Sequence, residues 1–236
     1  MSTGSGTVGG VRDEATSRVH RTAETDEPFD VLDEDGTATG RTATRGEVHA
    51  SGAWHAAVHV WIVDGDDRVL LQRRAPGKDL AGGRIDVSVG GHLRSGETWL
   101  DALREVEEEL GVSVGPEDLA PLGTVASERI YPDATDREHQ HVFGLRLAWE
   151  LRRYAPDPRE VDVLYLVPLE RALRLWRDGA HVAAEGLDAQ GRPNHALLHE
   201  DDLIAEGRAG TLEELRRLAQ WAGVEAPPPE GGGVDG

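Results

Sequence analysis

Cysteine is absent from the 236 residues. That excludes disulfide staples, thiolate metal sites and cysteine nucleophiles together. Long apolar runs are also missing, with nothing near the ~18 residues a membrane helix requires and no signal-type apolar segment behind the N-terminus. Positive charge is scarce: 25 Lys and Arg stand against 44 Asp and Glu, a formal net charge of −19, which makes nucleic acid a poor partner. Lys78 is the single lysine. These absences predict a soluble, cytoplasmic protein without membrane attachment. An anionic substrate would have to meet a local cluster of basic groups against an unfavourable overall field. The length suits one well-packed domain with extensions.

The most informative stretch that is present runs from Gly90 to Val112. It reads as a Gly-Gly loop, a short helix and a stop. Thr98 and Asp101 are spaced for a capping box, and Gly111 is a natural residue just past a helix end. Trp99, Leu103, Val106 and Leu110 form one apolar stripe, whereas Glu105, Glu108 and Glu109 share another face. Three carboxylates on one face repel one another. A divalent cation removes that conflict, and hard oxygen donors suit Mg²⁺ or Mn²⁺. A solvated acidic face is the plainer reading of such a run, but here the run follows glycines that let a ligand approach the backbone.

Along the rest of the chain, residues 29–32 and 37–42 read as two short strands around a turn, and residues 45–50 as one helical turn. Residues 54–63 and 69–73 read as paired strands. Arg73, Arg74, Lys78 and Arg84 crowd a loop broken by Pro76 and Gly77. They are either solubilising charge or a clamp for phosphate oxygens. Residues 85–89 form a strand into the Gly-Gly loop. Residues 119–129 and 139–151 pair, with Phe143, Leu145, Leu147 and Trp149 alternating along the second. His139 and His141 share a face there, more often polar fillers than metal ligands. A strand over 161–167, a helix over 169–178 and two helices over 195–206 and 211–222 complete the reading.

The residues Gly91, Glu97, Arg104-Glu105-Val106, Glu108-Glu109 and Gly111-Val112 resemble the Nudix box, G-x5-E-x7-R-E-U-x-E-E-x-G-U, with U aliphatic. One departure is visible: residues 98–103 separate Glu97 from Arg104, six where the pattern has seven. The missing residue has to be absorbed at the loop–helix junction. Trp54-His55, Leu71-Gln72-Arg73-Arg74 and the segment from Asp86 to His92 look most like the branch related to isopentenyl-diphosphate isomerases.

The resemblance implies an α/β Nudix-type α/β/α sandwich with a mixed sheet. A tail over 1–27 precedes the Nudix domain, taken as 28–180. A helical extension over 181–226 and a disordered tail over 227–236 follow. It further implies a Mg²⁺-dependent (or Mn²⁺-dependent) hydrolase that cleaves a nucleoside diphosphate-X or related organic diphosphate by water attack at phosphorus. Glu105, Glu108 and Glu109 would hold the metal with the Gly90 carbonyl, and Glu97, Arg104, Glu105 and Glu108 would serve catalysis. Arg73, Arg74, Lys78 and Gly91 would contact a small-molecule diphosphate; a homodimer is compatible with all of this. Glu128, Glu138 and Glu160 are candidates for the general base. Two alternatives stand beside this reading. An isomerase of isopentenyl diphosphate is disfavoured by the lack of cysteine. A ligand-binding module without turnover is the other.

Overall fold

The computed structural model describes residues 26–225, and the two terminal tails expected from the sequence fall, almost entirely, outside that range. Eleven strands join one mixed sheet, in the order β11-β10-β9-β4-β3-β1-β2, with β5 on β4, β6 and β8 on β3, and β7 on β8. The strands are β1 Pro28–Leu32, β2 Ala38–Thr44, β3 Trp54–Val63, β4 Arg68–Arg74, β5 Ile85–Asp86, β6 Val89–His92, β7 Leu119–Tyr131, β8 Ala134–Arg146, β9 Val161–Pro168, β10 Val182–Asp188 and β11 Pro193–Leu198. The helices are α1 Arg45–Ser51, α2 Trp99–Ala102, α3 Arg104–Leu110, α4 Leu169–Asp178 and α5 Arg208–Ala222. None of the described helices is long and apolar enough to cross a membrane.

Strand alternation explains the layering. β3 is buried along most of its length, so both its faces must be covered. Val58, Val60 and Ile62 meet Ala102, Leu103, Val106 and Leu110 of the α2–α3 segment on one face. Trp61 and Val63 meet Leu169, Leu173 and Trp176 of α4 and Leu215 and Leu218 of α5 on the other. The result is the expected sheet between two helical layers. β3 runs parallel to β8 over ten paired positions, from Trp54↔Arg137 to Val63↔Arg146, and antiparallel to β6.

Several expectations are corrected. The helix of the box is assigned as two helices that meet at Leu103, which keeps helical angles of φ −63° and ψ −14°. Gly90 and Gly91 lie within β6, opposite His59 and Val58, not in a loop. Arg73 and Arg74 belong to β4. β8 begins at Ala134 because Pro132 and Asp133 suffice to turn the β7–β8 hairpin, and it ends before Leu147 and Trp149. The helix expected over 195–206 is absent: Val182–Leu198 form the β10–β11 hairpin, which extends the sheet beside β9, and a short 3-10 turn follows at Glu200–Asp202. Alternating burial along β10, in at Val182, Ala184 and Gly186 and out between them, is the period-two signal that identifies it as a strand. A helix does close the described chain, as α5.

Candidate active site

At the end of β6 the chain turns through Gly96, with a positive φ of 80°, into α2. Thr98 and Asp101 form the expected capping box, with the Thr98 amide donating to Asp101 Oδ2 at 2.8 Å. α3 ends at Gly111, where φ is 66° and a Cβ would lie 2.9 Å from that of Ala155. Between these two fixed points α3 presents its glutamates beside β6. The fit is close: a Cβ on Gly91 would stand 2.2 Å from Glu105 Cγ, so this glycine keeps room for the glutamate stem.

These residues form one wall of a cleft of about 350 Å³, whose lining includes Gly90, Gly91, Glu105, Glu108 and Glu109 together with His59, Arg74, Lys78, Arg129, Glu138 and Glu160. The box carboxylates share the wall but do not converge. Glu109, 5% exposed, accepts from Gln72 Nε2 at 3.1 Å. Glu105 Oε1 lies 3.0 Å from Arg104, and Glu108, with its side chain 53% exposed, turns toward solvent at 3.9 Å from the same guanidinium. Burial, followed by the neighbouring Glu108, pushes the Glu105 carboxyl up to about 7 against the opposing Arg104. Burial and the charge of Glu105 raise Glu109 well above the usual range. Arg104 also reaches Glu97 at 3.3 Å, so the shortened spacing leaves Glu97 in contact with the box.

The basic residues divide. Arg74 lines the cleft and pairs with buried Asp86 at 3.0 Å, and Lys78 lines it and pairs with Glu160 at 2.5 Å. Arg73 does not line it. Adjacent strand residues point to opposite faces, and Arg73 instead pairs with Asp162 and lies over the Tyr165 ring. Arg84 is drawn to the Asp201 carbonyl. Of the candidate bases, Glu138 and Glu160 line the cleft, whereas Glu128 pairs with Arg137 on the surface. His139 stacks near Trp54 and sits 3.2 Å from the Asp33 carbonyl, and it belongs to no metal-type cluster among the described residues.

Sequence reasoning missed two further groups. Arg129 of β7 is buried on the cleft floor near Glu138, which, with Asp86, keeps its guanidinium charged against the cost of burial. Behind it, His49, His55, His92 and Asp136 bring one donor atom each within 4.8 Å of one another. Nε2 of His49, Nε2 of His55 and Oδ1 of Asp136 are buried without a hydrogen-bond partner. Burial holds all three rings below the ordinary histidine value, His49 at about 4, so they are neutral and able to donate lone pairs. His92 Nε2 is 3.0 Å from Glu138 Oε1, a neutral ring beside a carboxylate. The four residues lie on α1, β3, β6 and β8 with sequence spacings that no local pattern links.

A mixed sheet between two helical layers, with an acidic helix beside a Gly-Gly strand over a polar cleft, defines the Nudix class of enzyme. The NUDIX domain model matches residues 53–186, and the chain belongs to this family of hydrolases, which act on pyrophosphate bonds. An uncharacterized Nudix hydrolase of Clostridium acetobutylicum is 33% identical over 189 residues, which cover 76% of this chain and 90% of that one. Nudix hydrolase 3 of Arabidopsis thaliana is 50% identical over 203 residues, 82% of this chain but 26% of that longer protein. An isopentenyl-diphosphate Delta-isomerase of Streptomyces avermitilis is 34% identical over 154 residues, covering 64% of this chain and 76% of that one.

Proposed function

We propose that the cleft hydrolyses a small organic or nucleotide diphosphate with the help of Mg²⁺ or Mn²⁺. The observation that carries this reading is the juxtaposition of the acidic α3 face with Arg74, Lys78 and Arg129 in one cleft. An all-oxygen donor set at Glu105, Glu108 and Glu109 suits a hard divalent cation. When bound, that cation would neutralise diphosphate oxygens and favour attack by water. Arg104, between Glu97 and Glu105, holds the box glutamates in place. Gly91 keeps the wall open for them. Arg74 and Lys78 face the incoming phosphates, which would draw them from Asp86 and Glu160. Of the candidate bases, Glu138 and Glu160 line the cleft, in place to take a proton from water. The imidazole cluster offers a separate position for a cation of softer preference.

The Streptomyces relative favours isomerisation of a prenyl diphosphate as a second reading. The lack of cysteine and the retained Glu105, Glu108 and Glu109 weigh against it. Purified protein incubated with Mg²⁺ and a panel of nucleotide and prenyl diphosphates tests both. Metal-dependent phosphate release that is lost in Glu109→Gln supports hydrolysis. Exchange of label from water into the prenyl chain without phosphate release supports isomerisation. Neither outcome with any member of the panel overturns the enzymatic reading of the cleft.

A further inference from the structure

His59 lies on the floor of the cleft, and the group that holds it comes from the far end of the chain. Its Nδ1 is 3.0 Å from both carboxylate oxygens of Glu214, on α5. The same carboxylate accepts from Trp61 Nε1 at 2.8 Å. Glu214 is fully buried, 0% exposed. α5 supplies it from the face of β3 opposite α3.

Close approach of α5 to the sheet is built in. A Cβ on Gly207 would stand 2.8 Å from Arg129 Cγ, and Gly210 is within ordinary contact of Ser127 and Val125. Arg208 ties the start of the helix to the Leu175 and Trp176 carbonyls at 3.0 and 2.7 Å. Ile204, just before the helix, lines the cleft itself. All of these lie beyond the family-matched residues 53–186.

A buried charged pair of this kind is a poor device for stability, since replacing both partners together by apolar residues of similar volume usually does as well or better. It is a good device for orientation. With Nδ1–H committed to Glu214, the ring is fixed and its Nε2 edge lies at Gly90, where a Cβ would be 3.5 Å from that nitrogen. Gly90 and Glu105 line the same cleft.

We propose that α5 completes the active site: His59 contacts a phosphoryl oxygen of the diphosphate through Nε2, and Glu214 is its positioning residue. The inference rests on the diphosphate reading above.

The test uses the full chain labelled with ¹⁵N-histidine, with imidodiphosphate and Mg²⁺ as the non-hydrolysable probe. Addition of the probe is expected to shift the His59 Nε2 resonance, and Glu214→Gln is expected to change the Nδ1 and Nε2 pattern of the free protein. In turnover, His59→Gln and Glu214→Gln should each lower kcat/KM by roughly 10- to 100-fold, the loss expected for one hydrogen bond to a charged group, and Glu214→Asp should recover part of it. Melting temperatures of the variants separate this from misfolding. A His59 signal unmoved by the probe overturns the proposal. So does unchanged kcat/KM in a folded Glu214→Gln variant while Glu109→Gln is inactive, an outcome that leaves the diphosphate reading intact. If the wild type hydrolyses no diphosphate and binds no imidodiphosphate, both fall.

Discussion

α3 and α5 lie on opposite faces of the sheet; α3 lines the cleft with glutamates, and α5 places one behind the cleft residue His59. They do so on different terms. On α3 three carboxylates sit side by side and have only Arg104 and Gln72 to share. Burial first, and then the neighbouring carboxylates, raise the pKa values of Glu105 and Glu109. On α5 a single carboxylate is fully satisfied by one imidazole and one indole. Acid unresolved by the protein is acid available to something from outside. Acid resolved by the protein is scaffolding for its neighbour.

Removing charge from the two helices should therefore have opposite effects. The largest is expected for Glu109→Gln. Mg²⁺-dependent turnover should fall by at least about 100-fold, while the metal-free protein melts higher than wild type because one repulsive partner is gone. A lower melting temperature would break the comparison. Glu214→Leu should go the other way in stability, leaving His59 and Trp61 as buried donors without an acceptor. A loss of about 2–3 kcal/mol is expected by urea unfolding. Gly111→Ala should cost about 1–3 kcal/mol, from the left-handed cap and the crowding against Ala155, again by urea unfolding.

The smallest effect is on pH. A carboxyl with a folded-state pKa above its unfolded value takes up a proton on folding, so its contribution to stability is lost as pH rises toward the folded value. For Glu105, at about 7, metal-free stability should decline between about pH 5 and 8, and Mg²⁺ affinity should rise over the same range. Glu105→Gln should flatten both slopes, measured by melting and by calorimetric Mg²⁺ titration.

The contrast also explains what could be read in advance. The α3 site is local: periodicity, caps and the crowded acids all lie within Gly90 to Val112, so they are visible in sequence. The span of β3 and the helices α1, α4 and α5 follow from equally local patterns. Glu214 and His59 are 155 positions apart, and the imidazole cluster draws on four elements, so only the folded sheet joins them. The β10–β11 hairpin was misread for a different reason. Its inward residues include Ala184 and Gly186, too small to register as an apolar stripe. Arg73 and Arg74 look equivalent in a list of basic residues. Once they stand in a strand, the pleat sends only the second toward the cleft.

The interruption at Leu103 carries a lesson about how such a motif tolerates change in length. A continuous helix turns by about 100° per residue, so deleting one residue upstream of Arg104 would otherwise misalign Glu97 with the ligand face. Here the two helical pieces meet at Leu103, whose backbone stays helical, and Glu97 still touches Arg104. A count one residue short before Arg104 is thus compatible with contact between Glu97 and the box, and pattern searches that insist on a fixed count at this point will overlook chains of this kind.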